Sequence, residues 1–359
     1  MLTDTTNGAL LRPEELRPAV ELAARVLDQL DRMLLGRPEL HRLVLAAVLA
    51  RGHLLLEGVP GVGKTALVKA LGQLLTLDFK RVQFTPDLMP SDILGAHILQ
   101  EVAGSDGAST AMHREMVFRP GPIFTHILLA DEINRASPKT QSALLEAMQE
   151  RNVTLLGTTR ELPEPFFVLA SQNPIELEGT YPLPEAQLDR FLFKLVVSDV
   201  GVDVLDQIIS TRRHGRPPDP GWSMPAYQLL QIFATLERLF LPRPVARYVA
   251  RLVAATHPAA TEATPRVRTY VSYGASPRAA IAMAESARAV ALMAGRPTVG
   301  FEDVRAVAAA VLNHRLILNY KARLDQVDTF AVVRDLLDGL DETGVRLPSD
   351  IALAEAKDD

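Results

Sequence analysis

The 359-residue chain contains no cysteine, which excludes disulfide frameworks, thiol nucleophiles and thiolate metal sites. It also lacks a long apolar run. The longest, at 43–50, has eight residues fenced by Arg42 and Arg51, whereas a membrane span needs about 18 or more. No membrane-spanning segment is therefore expected. The first 16 residues carry neither the basic stretch nor the apolar stretch of a secretory signal, so the expected compartment is the cytoplasm. Nor is there an excess of positive charge. With 38 basic and 43 acidic residues the net charge is −5, which argues against a dedicated nucleic-acid binder while leaving room for a local basic patch. What remains is an ordinary globular composition, 48% hydrophobic and 23% charged, in a chain long enough for two domains.

Hydrophobic patterning divides the chain. Residues 1–50 read as helical, with an amphipathic stretch at 13–35 and a second helix after Gly36, where Pro38 suits the first turn. Short apolar runs follow at 53–56, 81–84, 127–130, 166–170 and 191–197, separated by helical patterns such as TALVKALGQLL. Continuous apolar strands alternating with helices require a parallel sheet covered on both faces. The segment 211–222 holds three prolines and two glycines and reads as a loop. Beyond it no strand pattern recurs, and 12 alanines in 279–310 favour helix. Helix starts are visible at Ser276-Pro277 and at Gly300, which is followed by Glu302 and Asp303 in the first turn. The reading is an α/β domain over 1–200, an all-helical domain over 201–345 and an acidic tail over 346–359.

The strongest motif is GVPGVGKT at 58–65, between the run HLLLEG and the helical ALVKALGQLL. Strand, glycine-rich loop and helix in that order form a phosphate-binding loop. Gly58, Gly61 and Gly63 let the backbone wrap phosphates with its N–H groups inward, and the helix adds its positive end. In this pattern the candidates run Gly58, Val59, Pro60, Gly61, Val62, Gly63, Lys64, Thr65 and Ala66. Lys64 would reach the β- and γ-phosphates of ATP, and the Thr65 hydroxyl would ligate Mg2+. The run ILLADE places Asp131 and Glu132 at the carboxyl end of a strand, beside that loop in a doubly wound sheet. Asp131 would hold Mg2+ and Glu132 would polarise the attacking water.

At this point the sequence resembles an AAA+ ATPase. SQNP, with Asn173 after the strand FFVLA, is similar to sensor 1, which orients the catalytic water. EAQLDRF is similar to the arginine-finger segment, with Arg190 reaching the ATP of a neighbouring subunit. GASPRAAIAM is similar to sensor 2, with Arg278 expected at the γ-phosphate of its own subunit. The ordered strings ADEINRASPKTQSALLEAMQE, FFVLASQNPIELEGTYPLPEAQLDRFLFK, GASPRAAIAM and VLNHRLIL resemble the MoxR family over about residues 30–320. The stretch 85–122 resembles the helix-2 insert, a hairpin at the central pore of the ring, and ERNVTLLGTTRELPEP resembles the hairpin before sensor 1. Adenine contacts are expected near Leu35 and Gly36, although Arg37 stands where the family suggests glutamine.

The resemblance implies a P-loop AAA+ core with a five-stranded parallel sheet, both hairpins and a small all-α lid. It implies a homo-oligomer, most simply a hexameric ring, that hydrolyses ATP with Mg2+. It further implies chaperone-like maturation of client proteins, including cofactor or metal insertion, with a von Willebrand factor A domain partner. Three other readings stand beside it: a magnesium-chelatase-like motor subunit, a nucleic-acid-dependent motor, and a nucleotide-switched scaffold with little turnover. The insert at 91–119 has two arginines against four acids, which does not suit a phosphate-tracking loop. The pair Asp131 and Glu132 speaks against a mere scaffold. Arg190 has a plain alternative as a surface arginine paired with Asp189 or Glu185, and Arg119 and Arg135 are further candidates for contacts to a neighbouring subunit.

Overall fold

The computed structural model describes residues 10–103, 112–174, 179–212 and 217–342. The tail expected at 346–359 lies outside the described residues, as do 343–345 of the expected helical domain. In chain order, α1 (Pro13–Met33) and α2 (Pro38–Leu49) lead into β1 (Leu54–Glu57), the glycine-rich loop, α3 (Lys64–Leu75) and β2 (Phe79–Gln83). A short α4 (Pro90–Leu94) opens a hairpin of β3 (Gly95–Ala103) and β4 (Met112–Pro120). Then come β5 (Ile127–Asp131), α5 (Pro138–Glu150), a second hairpin of β6 (Asn152–Leu155) and β7 (Thr158–Glu161), β8 (Phe167–Gln172), the single turn α6 (Glu185–Leu188) and β9 (Phe193–Val196). The remainder comprises α7 (Val202–Thr211), α8 (Ala226–Glu237), α9 (Arg243–Ala255), α10 (Pro265–Tyr270), β10 (Val271–Tyr273), α11 (Pro277–Met293), α12 (Phe301–Leu312), β11 (Ile317–Leu318), α13 (Tyr320–Leu324) and α14 (Thr329–Gly339).

The main sheet has five parallel strands in the order β2-β5-β8-β1-β9. Each apolar run read from the sequence supplies one of them. Both faces are covered, and the side-chain alternation along each strand divides the runs between two cores. Leu54, Leu56, Leu129 and Leu169 enter one cluster, while Leu55, Leu128, Val168 and Ala170 enter the other. The first cluster is the larger because it also takes the stripe Leu16, Ala19, Ala23, Val26, Leu30 and Met33 of α1, whose spacing of three and four residues lines one helix face. It continues without a break into Leu229, Tyr248, Met283 and Val307 of the later helices.

A histidine ties the centre of the sheet together. Buried His53 accepts a hydrogen bond from the Val168 N–H on Nδ1 (3.0 Å), and its Nε2 faces the Met148 carbonyl at 3.1 Å. Burial pushes its pKa down to about 4, so the ring is neutral and can both donate and accept here.

The later part of the chain departs from the all-helical expectation. Val271–Tyr273 and Ile317–Leu318 pair antiparallel as a small second sheet. Strands of two and three residues are too short to print a periodicity; distant pairing makes them. Both expected hairpins are formed, and they touch: the Arg160 guanidinium of β7 lies 3.9 Å above the Phe118 ring of β4.

Candidate functional site

The glycine-rich loop leaves β1 and turns directly into α3, aiming the helix N-terminus at the loop's hollow. Gly61 and Gly63 have φ of +88° and +90°, a region that side chains other than glycine enter only at a cost. The Lys64 ammonium folds back and donates to the Gly58 carbonyl, with the Val59 carbonyl 3.5 Å away. Burial lowers its pKa, and the nearby Asp131, Glu132 and Glu57 oppose that shift. An ammonium satisfied only by loop carbonyls is available to a phosphate. Replacing Lys64 with alanine is expected to weaken ATP binding about 10- to 100-fold, the worth of about 1.5–3 kcal/mol in charge-assisted hydrogen bonds. Titration with a fluorescent ATP analogue reads the change, and unaltered affinity would remove Lys64 from the phosphate site.

Two cavities share Gly61, Gly63 and Lys64. The first, of about 330 Å³, is lined by Thr65, Arg81, Asp131, Glu132 and Asn173 as well as the loop. It brings together the expected lysine, hydroxyl, carboxylate pair and sensor 1 asparagine, from the ends of two adjacent strands, β5 and β8, and the start of one helix, α3. Asp131 is buried; its Oδ1 accepts from the Ser171 hydroxyl at 2.5 Å, and its Oδ2 accepts from Arg81 Nε at 3.1 Å and Nη2 at 2.8 Å. Glu132 follows with φ +56°, the left-handed region, at the start of a short turn over Ile133–Arg135. That strained backbone throws its carboxylate away from the strand, where Gln83 Nε2 (2.8 Å) and Arg135 Nη1 (2.9 Å) donate to Oε2. Arg135, a candidate for reaching another subunit, thus pairs with Glu132 of its own chain. The buried carboxylate of Asp131 and the exposed hydroxyl of Thr65 are hard oxygen donors sharing the cavity, and the donor set fits Mg2+, which takes few protein ligands.

The second cavity, of about 360 Å³, is apolar on one side, with Leu34, Leu35, Leu40, Leu205 and Ile208 in its wall. Leu35, a candidate for contact with adenine, lines this cavity. Gly36 is not in the wall; with φ +84° it turns the chain beneath it. Gly58 and Val59 of the loop likewise line neither cavity, whereas Pro60, Val62 and Ala66 join their neighbours in lining one or the other. Arg37, the departure from the family pattern, has a definite place. Its Nη1 donates to the Val62 carbonyl at 2.5 Å and its Nη2 to the Ser198 carbonyl at 2.7 Å, bridging the loop to the chain leaving β9. Burial lowers the pKa of this guanidinium, against the pull of Asp199.

Arg190 and Arg278 sit elsewhere. Both line a third cavity, of about 370 Å³, whose wall carries five arginines (51, 151, 190, 278, 315) against two acids, Asp189 and Glu285. Arg278, expected at its own subunit's γ-phosphate, is not in the wall of either phosphate-loop cavity. The reason is its anchorage: Ser276 caps α11 and donates to Asp189 Oδ2 at 2.9 Å, and Arg278 Nη1 stands 3.7 Å from the same carboxylate. The helix start is thereby held against the segment that carries Arg190. The plain pairing expected for Arg190 is not formed either, since Asp189 is taken by other groups, and the buried Arg190 Nε finds no acceptor among the described residues.

Sequence reading missed Arg81 and Gln83. The alternation in FKRVQ puts both on one face of β2, and the pairing of Gln83 with Asp131 brings that face to the carboxylates. The signal was present, but only strand order gives it meaning.

The family model described as the ATPase family associated with various cellular activities (AAA) matches residues 53–193, and the AAA lid domain model matches 263–336. Chaperone MoxR1 of Mycobacterium tuberculosis is 40% identical over 90% of this chain and 83% of its own length. YeaC of Bacillus subtilis is 41% identical over 90% of this chain and 95% of its own length. A crystal structure from Cytophaga hutchinsonii, of a protein assigned as an ATPase, superposes with a TM-score of 0.80 at 36% identity, covering 91% of this chain and 97% of that one. Among the described residues, no helix is long and apolar enough to cross a membrane.

Proposed function

Because the chain belongs to the MoxR family of AAA+ ATPases, we propose that it is an ATP-hydrolysing ring protein whose active sites are completed by neighbouring subunits. The observation that carries this reading is the separation of the two halves of the chemistry. Lys64, Thr65, Asp131, Glu132 and Asn173 share one cavity, while Arg190 and Arg278 line another. A cationic cavity beside few acids, with a buried guanidinium N–H left without an acceptor, suits an anion delivered from outside the chain. A second copy supplies that anion as its bound triphosphate. Arg278 then acts on the neighbour's γ-phosphate beside Arg190, and not on its own.

In this reading the triphosphate lies along 58–65 and Lys64 exchanges the Gly58 carbonyl for phosphate oxygens. Thr65 and Asp131 hold Mg2+, which supplies charge neutralisation of the phosphates when bound. Glu132 takes a proton from water oriented by Asn173, and Arg190 with Arg278 meets the charge that develops on the transferring group. The apolar cavity at Leu35 takes the adenine. We assign the catalytic core to 1–200 and the lid to 201–345, a division that the two matched segments support.

The hexameric state, a protein client matured by the ring and a von Willebrand factor A domain partner belong to the same proposal. They rest on the family, one of whose members is named a chaperone. The net charge of −5 agrees with a protein client better than with a nucleic acid. Mass photometry of the full chain is expected to detect six-subunit particles with a slowly hydrolysed ATP analogue. Phosphate release should require Mg2+ and be indifferent to added DNA. Particles that stay monomeric while hydrolysing ATP at full rate would overturn the shared site, and stimulation by DNA would favour the nucleic-acid motor.

A further inference from the structure

Of the string VLNHRLIL, which marks the family resemblance, only Arg315 lines the arginine-rich cavity. Its Asn313, His314 and Arg315 form the turn that ends α12, and all three side chains are buried. Each reaches the same stretch of main chain, the one that runs from Asp189 past Arg190 into β9. Asn313 Nδ2 donates to the Lys194 carbonyl at 2.8 Å, and His314 Nε2 faces the Phe191 carbonyl at 3.1 Å. Arg315 commits all five of its N–H donors. Nε goes to Asp189 Oδ1 at 2.8 Å, Nη1 to the carbonyls of Leu192 (3.1 Å) and Val311 (2.5 Å), and Nη2 to those of Asp189 (3.1 Å) and Phe191 (2.6 Å). Four of those five bonds land on residues 189–192. The other oxygen of Asp189 meets Ser276 and Arg278, so one carboxylate joins the turn after α12, the start of α11 and the residue before Arg190. Burial and the neighbouring Arg315 hold the pKa of His314 well below its usual value, keeping the ring neutral.

We propose that Asn313, His314 and Arg315 are positioning residues: a clamp that fixes segment 189–194 to the lid, so that Arg190 and Arg278 reach the neighbouring subunit's nucleotide as one rigid unit. The inference rests on the shared-site reading above. Its physical basis is that a flexible guanidinium stabilises a transition state only when held in place, and a misplacement of about 1 Å can cost about 10²-fold. A fully bonded, buried arginine supplies that rigidity, and lysine, a point charge with three donors, cannot reproduce the fork. A competing route leads to the chain's own site, because Lys194 of the clamped strand pairs with Glu57 at 2.7 Å, immediately before the phosphate loop.

Mixed rings separate the two. Arg315→Lys is expected to lower turnover at saturating ATP by about tenfold or more while the Kd for a fluorescent ATP analogue stays within about twofold. Mixed with Glu132→Gln subunits, which hydrolyse ATP about 10²- to 10⁴-fold more slowly than the parent but carry an intact Arg190, it should regain activity, because its own site then receives a correctly held arginine. Arg190→Ala mixed with Glu132→Gln is the control and should regain activity in the same way. If that control recovers and the Arg315→Lys mixture does not, the clamp proposal is overturned while the shared site stands. If Arg190→Ala alone keeps full turnover, the shared-site reading itself fails. Asn313→Ala, which removes the bond to the Lys194 carbonyl along with those to the Ala309 and Ala310 carbonyls of its own helix, provides the same comparison should the lysine variant fail to fold; full turnover in that variant would likewise overturn the proposal.

Discussion

Arg190→Ala is expected to bind ATP as the parent protein does and to lose about 10³- to 10⁵-fold in turnover, the worth of an arginine delivered to a transferring phosphoryl group. The two parts of that expectation have separate causes. Binding is conserved because the phosphate loop, Leu35 and Lys64 line cavities that do not include Arg190. Turnover falls because charge building on the γ-phosphate oxygens would lose a guanidinium of the arginine-rich cavity whose buried Nε has no acceptor among the described residues. Removing the side chain should cost little stability, since it breaks no hydrogen bond that holds the fold. Steady-state phosphate release alongside equilibrium nucleotide titration measures both parts. Near-normal turnover with Arg190→Ala would reduce this arginine to a surface residue.

Glu132→Gln is expected to assemble and bind ATP but to hydrolyse it about 10²- to 10⁴-fold more slowly, the range for loss of a general base. The substitution is close in shape, and an amide oxygen can still accept from Gln83 and Arg135, the groups that donate to Glu132 Oε2. Only the capacity to take a proton from water disappears. Nucleotide carried through gel filtration should therefore be ATP in the variant and ADP in the parent. A variant that returned ADP would remove Glu132 from the base role and point to a water activated some other way. The same ATP-locked ring should hold a von Willebrand factor A domain partner or a client long enough for affinity capture. Capture that is equal with and without ATP would detach partner binding from the nucleotide cycle.

Much of the nucleotide site was legible in the residues because phosphates are bound by contiguous main chain. A loop of eight residues, 58–65, carries its own backbone donors, its lysine and its hydroxyl, so spacing alone defines it. Asp131 and Glu132 were legible for a similar reason: a buried run of apolar residues that ends in two acids can present them only at a strand's end. Arg81, Gln83 and Ser171 were not legible as partners of those acids, because their strands become neighbours of β5 only when the sheet is ordered. The small sheet of β10 and β11 escaped notice since its strands lie more than 40 residues apart and have no pattern of their own.

The sequence by itself thus determined the phosphate loop, the five strands, both hairpins and the family, because each depends on residues close together along the chain. Which arginines line one cavity was decided only in three dimensions. Arg315 grips Asp189 across 126 positions, and Ser276 reaches it across 87. Those bonds hold the start of α11 against Asp189, so that Arg278 lines the cavity of Arg190 and neither cavity of the glycine-rich loop. Local propensity governs where a helix begins; which neighbour its first turn faces depends on a carboxylate supplied from another part of the fold.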